Sequence, residues 1–142
     1  MRFLLDTNAV SEPRRPAPDT GYLQWLSAQD PNDLAMSVLT FGELKRGVGV
    51  LAPGRRRTDL EAWLTEGLVS FGDRILPVDL SVTAAWADVS ALHRGAGRAV
   101  GVIDELIAAT ALAHGLTVVT RNGRDFEASG CDLLVPWSSA RQ

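Results

Sequence analysis

Short apolar runs that alternate with longer stretches of helical spacing are the feature that most constrains how this chain can fold. The runs suit buried strands and lie at residues 2–5, 34–38, 74–78, 116–119 and, more weakly, 132–135. Between them, apolar residues recur three or four positions apart in the stretches 22–26, 60–68, 82–92 and 103–110. Strands that alternate with helices favour a mostly parallel β-sheet flanked by α-helices. With 142 residues and no dividing linker, the sequence predicts one α/β domain.

The composition is typical of a soluble globular protein, with 46% apolar and 22% charged residues. No apolar stretch reaches the roughly 20 residues of a membrane helix, and the first apolar run stops at Asp6, so we expect neither a membrane segment nor a signal peptide. Cys131 is the single cysteine, which excludes an internal disulfide and fits a reducing compartment. We therefore expect a cytoplasmic protein.

The basic residues are clustered although the net charge is −3. Lys45 is the only lysine, and the arginines group at 14–15, at 55–57, at 94 with 98, and at 121 with 124. Arginine suits bidentate recognition of phosphate. Two interpretations stay open for these clusters: contact with a phosphate backbone, or a solvated charged face.

Other residue types indicate packing rather than chemistry. The tryptophans lie mostly on apolar stripes, where core or interface packing is their expected role: Trp25, Trp63, Trp86 and Trp137. His93 and His114 fall on predicted helices without a cysteine or second histidine at the spacing of metal ligands. The sequence contains no P-loop, no GxGxxG and no Ser-His-Asp arrangement, which disfavours nucleotide cradling and serine-type catalysis.

Acidic residues stand at four places just beyond predicted strands or at helix starts. Asp6 follows the first strand, Glu43 lies past the second in the first turn of a predicted helix, Asp104 begins the last long helix, and Asp125 follows the fourth strand. The carboxyl ends of parallel strands share one edge of a sheet, where sites are built. These four side chains can therefore converge despite their separation along the chain.

Converging carboxylates repel one another unless a cation compensates them. Hard oxygen ligands select Mg²⁺ or Mn²⁺. Such a metal can activate water and stabilise an in-line displacement at phosphorus. Each acid also has a simpler interpretation: residues 40–43 (TFGE) fit a capping box that includes Glu43, Asp104 suits the macrodipole of its helix, and Asp125 suits a turn.

Four sequence blocks, LLDTNAVSE, SVLTFGELKRGV, IDELIAATALAHGLTVVTRNGRDF and LLVPW, together resemble PIN-domain ribonucleases, most closely the VapC-type toxins of bacterial toxin–antitoxin pairs. The resemblance runs from residue 1 to about 137, which implies a PIN domain at 1–137 and a C-terminal tail at 138–142. It implies an endoribonuclease that uses Mg²⁺ or Mn²⁺, forms a homodimer and is inhibited by a cognate antitoxin. Its RNA substrate would be a tRNA, rRNA or mRNA.

The resemblance also assigns roles to individual residues. It implies that the four acids are the catalytic and metal-binding residues, and that four further residues give polar support: Thr7, Asn8, Thr120 and Asn122. Glu105 departs from the pattern, since such toxins often carry a neutral residue there. Neighbouring residues on a helix point about 100° apart. Because Ile103 and Ile107 fix the buried stripe, we expect Asp104 rather than Glu105 to face the site.

The resemblance implies partners as well. We expect an apolar segment of the antitoxin to pack on the early helices around residues 22–26 and 60–68, where Trp25 and Trp63 offer apolar surface. A basic side chain of the antitoxin would reach the acids in place of the cation. Operator DNA would be bound only through the antitoxin, because this chain is net acidic and has no recognisable DNA-reading motif.

Several alternatives remain at this stage. A phosphoaspartyl enzyme would use Asp6 as its nucleophile and usually carries a second aspartate two residues on, where this chain has Asn8. A receiver domain would need a late lysine, and Lys45 is early. A housekeeping PIN nuclease in RNA processing, and a non-catalytic PIN domain that binds RNA or a partner, also fit the sequence.

Overall fold

A parallel sheet lies at the centre of the structure, a computed structural model that describes residues 1–138. In that part of the chain the sheet has five strands, β1 (Phe3–Leu5), β2 (Leu34–Ser37), β3 (Ile75–Leu76), β4 (Thr117–Val119) and β5 (Leu133–Leu134). Their order across the sheet is β3-β2-β1-β4-β5, and every neighbouring pair is parallel. Each strand lies within one of the predicted runs, so the predicted α/β architecture is confirmed.

Helices connect the strands and cover the sheet. They are α1 (Thr7–Ser11), α2 (Thr20–Ser27), α3 (Val38–Gly49), α4 (Arg55–Phe71), α5 (Leu80–Gly95) and α6 (Val102–His114), with short 3-10 helices at Glu12–Arg14, Pro31–Asp33, Gly72–Arg74 and Gly123–Ser129. The short α1 was not predicted. Gly115, at φ +65°, ends α6 in the left-handed conformation that favours glycine. Across residues 1–138, no helix combines the length and the apolar character needed to cross a membrane.

Side-chain caps mark the start of α1, α2, α3 and α5. Asp19 accepts a hydrogen bond from the backbone of Tyr22 at the start of α2, and Ser37 accepts one from Leu39 at the start of α3. Because α3 is capped by Ser37, the capping-box interpretation of residues 40–43 is wrong. Glu43 consequently lies in the second turn of α3, one turn later than predicted.

Apolar side chains pack in three clusters around the sheet. One cluster joins the sheet to α5 and α6, through residues such as Leu4, Val89 and Ile107. A second joins it to α1, α2 and the segment after β5. A smaller cluster holds α3 against α4 around Leu60 and Leu64. The α3–α4 pair thus has a packing cluster of its own.

The segment after β5 is fastened to the beginning of the chain. Trp137 is fully buried, stacks on Tyr22 with ring centroids 4.3 Å apart, and donates from Nε1 to Glu12 Oε1 at 2.6 Å. Ser138 Oγ donates to Asp19 Oδ1 at 2.9 Å. Packing was the expected role of this tryptophan, and the structure confirms it. Most of the tail expected at 138–142, residues 139–142, lies outside the described residues.

Candidate active site

Parallel strands bring the candidate acids to one edge of the sheet. Asp6 directly follows β1, Thr120 directly follows β4, and α3, which carries Glu43, directly follows β2. The strands β2, β1 and β4 are neighbours, so their carboxyl ends meet. The backbone N–H of Asp6 donates to the carbonyl oxygen of Val119 at 2.9 Å. This bond extends the β1–β4 ladder by one step and sets Asp6 beside Thr120.

Asp6 is the best-held carboxylate of the group. Its side chain caps α1, since Oδ1 accepts from the backbone N–H of Thr7 at 2.8 Å. Its Oδ2 accepts from Thr120 Oγ1 at 2.9 Å and from Asn8 Nδ2 at 3.3 Å. The residue is only 5% exposed. Strand, cap and two side-chain donors together fix both oxygens of this carboxylate.

The four residues expected to give polar support belong to one hydrogen-bond network. Thr7 Oγ1 donates to Glu43 Oε1 at 2.6 Å, which ties α1 to α3. Asn8 Nδ2 also donates to Thr120 Oγ1 at 3.3 Å, and Asn8 Oδ1 accepts from the backbone of Arg121 at 2.9 Å. Asn122 joins through its backbone N–H, which donates to Thr120 Oγ1 at 3.1 Å. The network orients Asp6 and Glu43.

Asp104 and Asp125 complete the acidic group. Asp104 is the third residue of α6 and is half-buried, whereas Asp125 is exposed on the 3-10 helix Gly123–Ser129. Burial raises the pKa of Asp104 to about 6, with further contributions from the charges of Asp6, Asp125 and Glu43. The structure therefore brings the four acids, distant in sequence, within electrostatic reach of one another.

The pKa of Asp6 is also raised. Burial is the main cause, and the negative charges of Glu43 and Asp125 add to it, against the lowering effect of the hydrogen bonds from Thr7 and Thr120. Every charge that acts on Asp6 or Asp104 in this way is negative. The site thus favours a positive charge among its acids.

Glu105 lies apart from this group although it follows Asp104 directly. Its Oε2 is 2.8 Å from His93 Nδ1 and its Oε1 accepts from Trp86 Nε1 at 3.3 Å, so its contacts are on α5. His93 is 2% exposed and, among the described residues, its Nε2 has no hydrogen-bond partner. The two adjacent acids on α6 consequently point to different neighbours.

The sequence did not lead us to predict that two carboxylates, Glu105 and Glu12, are buried. The burial of His93 beside Glu105 could have been found, because His93 continues the stripe of Trp86 and Val89 at helical spacing. Glu12 is 2% exposed and bonds to Trp137, 125 residues away. No local pattern in the sequence signals the contact between Glu12 and Trp137.

The donor chemistry of the acidic group fits a divalent cation. In the described part of the chain, no three acids, histidines or cysteines are gathered closely enough to hold an ion as they stand. The group nevertheless consists of carboxylates alone, the hard oxygen donors that Mg²⁺ and Mn²⁺ prefer. Mutual repulsion adds to burial in raising the pKa values of Asp6 and Asp104, and a bound cation would relieve that repulsion.

One family model and several known proteins match this chain over most of its length. The family model described as PIN domain matches residues 3–129. The chain is 40% identical to VapC ribonuclease Y4jK of Sinorhizobium fredii, over 97% of this chain and 99% of that protein. It is 37% identical to toxin FitB of Neisseria gonorrhoeae, over 95% of this chain and 98% of that protein.

Two solved structures also match this chain over nearly its whole length. A structure of FitAB bound to an IR36 DNA fragment matches with a TM-score of 0.91 at 35% identity, covering 95% of both chains. VapBC-5 of Mycobacterium tuberculosis, a member of the VapBC family of toxin–antitoxin systems, matches with a TM-score of 0.65 at 27% identity. That match covers 94% of this chain and 95% of the other.

The raised pKa of Asp104 predicts how the stability of the metal-free protein, kept so by a chelator, depends on pH. A carboxyl whose folded-state pKa, about 6, exceeds its reference value of 3.8 stabilises the fold below 3.8 and loses that contribution as pH rises through about 6. Asp104→Asn should therefore be more stable than wild type above pH 6, with the gap closing as pH falls toward 3.8. Urea unfolding of both proteins, from pH 3.8 to above pH 6, measures the difference in their free energies of unfolding.

Asp88→Asn, which removes an exposed carboxylate on α5, is the matched control. A stability difference between Asp104→Asn and wild type that stays constant from pH 3.8 to beyond 6 would contradict the prediction.

Proposed function

This chain belongs to the PIN-domain family, and we propose that it is the toxin of a toxin–antitoxin pair, an Mg²⁺-dependent endoribonuclease inhibited by a cognate antitoxin. The observation that carries the proposal is the convergence of four carboxylates at the carboxyl edge of the sheet. The relatives named VapC ribonuclease and toxin FitB, each aligned over nearly its whole length, support it. Its activity belongs in the cytoplasm, where its RNA substrates are.

The metal would be held by Asp6, Glu43, Asp104 and Asp125. When bound, Mg²⁺, or Mn²⁺ in its place, lowers the pKa of a bound water and stabilises charge at phosphorus. Asp6 is fixed by its cap and by Thr120, so its carboxylate needs no reordering before reaction. Glu43 is oriented by Thr7. Asp125 is exposed, which suits a peripheral acid that acts through water.

Membership of the PIN family removes two of the alternatives drawn from sequence. The phosphoaspartyl and receiver folds are different families. A housekeeping PIN nuclease and a non-catalytic PIN domain remain as competing functions, and both are outcomes of the experiments below.

An apolar cavity offers a place for the antitoxin. It measures about 290 Å³ and lies between the α3–α4 pair, α2 and the sheet, with walls that include Leu26, Phe41, Trp63, Leu64 and Phe71. We propose that an apolar segment of the antitoxin fills this cavity, which adjoins both helical stretches expected to bind it. A basic side chain of the antitoxin would then reach the acids.

The two tryptophans expected at this surface differ in their surroundings. Trp63 lines the cavity. Trp25 packs edge-on against Phe3, with ring centroids 5.1 Å apart, and also stacks on Tyr22. Trp63 is therefore the tryptophan we assign to the antitoxin contact.

Three further features follow from the proposed function. Operator DNA would be reached through the antitoxin, an arrangement supported by the DNA-bound FitAB structure. Homodimer formation stays a prediction from family resemblance. We place the end of the domain at Trp137, because that side chain is fully buried against Tyr22 and Glu12.

Substitution of the acids should abolish RNA cleavage without unfolding the protein. Asp6→Asn, Glu43→Gln and Asp104→Asn should each lower the rate by orders of magnitude, and Asp125→Asn by less because it is peripheral.

Excess chelator should stop cleavage, and Mg²⁺ or Mn²⁺ should restore it. Sequencing of RNA ends after induced expression, with Asp88→Asn as the control, identifies the cleaved bonds. Full activity in excess chelator would contradict the metal mechanism.

Coexpression with the product of the neighbouring gene tests the toxin assignment. We expect that product to bind this chain, to suppress cleavage and to restore growth. Trp63→Ala should weaken the complex, because it removes apolar surface from the cavity wall. If the neighbour neither binds nor suppresses cleavage, and expression alone leaves growth unimpaired, a housekeeping nuclease is the better account. Metal binding without any cleavage would instead indicate a non-catalytic domain.

A further inference from the structure

A second groove leads away from the acidic group, on the side of the α3–α4 pair. Its inner part, about 510 Å³, is lined by Thr7 and Glu43 of the site together with Arg14, Arg15 and Arg56. Its outer part, about 520 Å³, shares Arg14 and Arg56 and adds Arg55 and Asp59. We call the two parts together the arginine groove. It joins the acidic group directly to a strip of positive charge.

Three of these arginines have no internal ion pair to explain them. Arg15 lies 3.6 Å from Glu12, and Arg57, next along α4, lies 3.0 Å from Glu61. Across residues 1–138, by contrast, no carboxylate oxygen lies within 4.0 Å of the guanidinium nitrogens of Arg14, Arg55 or Arg56. All three side chains are exposed. Their charges are therefore available to a ligand.

Helix stability does not account for the two arginines on α4 either. Arg55 and Arg56 are the first two residues of α4, which has no acid in its first turn and no side-chain cap. The N-terminus of a helix carries partial positive charge, so cations there reduce its stability. Arg55 and Arg56 therefore carry positive charges that helix stability does not explain, in a groove that reaches the acidic group.

Arg14 faces the same groove from the other side. It ends the 3-10 helix Glu12–Arg14, and its guanidinium lies over the ring of Trp63 at 6.0 Å. A guanidinium held over an aromatic face keeps its N–H groups free to bind an anion. Two negative side chains also line the groove: Glu43 at its inner end and Asp59 at its outer end.

We propose that Arg14, Arg55 and Arg56 bind the phosphodiester backbone of the RNA strand and position the phosphate to be cleaved at the acidic group. The inference rests on the proposed ribonuclease function and extends it to named substrate-positioning residues. Arginine matches phosphate oxygens in bidentate geometry. Arginines outnumber acids along the groove, and Glu43 of the acidic group lies at its inner end. This arrangement suits a polyanion whose reacting phosphate lies at a cation site.

The test measures RNA binding without cleavage. The full chain carrying Asp6→Asn is titrated with a labelled single-stranded oligoribonucleotide at several salt concentrations. Arg14→Gln, Arg55→Gln and Arg56→Gln should each weaken binding by about tenfold and reduce the slope of log affinity against log salt by about 0.7. Arg56→Lys should keep most of the slope because it keeps the charge.

Arg2→Gln is the matched control, since Arg2 is exposed, precedes β1 and so lies at the opposite edge of the sheet. It should leave affinity and slope unchanged. The thermal midpoints of Arg55→Gln and Arg56→Gln should be unchanged or raised, which separates lost binding from unfolding. In the active chain, the same substitutions should raise KM more than they lower kcat.

Two results would overturn the proposal. In the first, the three variants bind RNA as Arg2→Gln does, and the ribonuclease function stands without this groove. In the second, the variants lose affinity for the antitoxin and keep their affinity for RNA, which assigns the groove to the protein partner. Arginine-dependent RNA binding by a chain that cleaves nothing would uphold the groove and refute the proposed catalysis.

Discussion

The burial of a carboxylate among other negative charges, at the end of the central strand, is the constraint on which the rest of the structure depends. Asp6 is buried between neighbouring strands, and the charges of Glu43 and Asp125 act on it from other elements. A fold keeps such a group only if strong local contacts hold it. Here the cap on α1 and the hydroxyl of Thr120 supply them. The arrangement exchanges stability for a site that favours a cation.

Much of the fold could be predicted because its signals are local. The five strands are short apolar runs, and the stripes of α4, α5 and α6 repeat at helical spacing. The start of α3 was misjudged, because Thr40 and Glu43 fit a capping box while Ser37, at the end of β2, is the actual cap. Two competing caps three residues apart are not distinguished by sequence pattern alone.

The sequence predicted that the four acids would lie near one another, and it did not predict the contacts that hold them. Parallel topology explains why acids after β1, β2 and β4 lie near one another. Three features join segments that are distant in sequence: the pairing of Glu105 with His93, the burial of Glu12 against Trp137, and the shared groove of Arg14 and Arg56. They depend on how helices pack, which adjacent residues do not encode. Those contacts separate Asp104 from Glu105 and distinguish the free arginines from the paired ones.

The most direct measurement is the shift of the thermal midpoint on adding Mg²⁺ or Mn²⁺ to wild type, Asp104→Asn and Asp88→Asn. A ligand that binds only the native state raises the midpoint, and at a fixed ligand concentration the rise increases with the logarithm of its affinity. If the acids form a cation site, wild type and Asp88→Asn should shift upward together and Asp104→Asn should shift much less. Equal shifts in all three proteins, or none in any, would contradict a cation site built on Asp104.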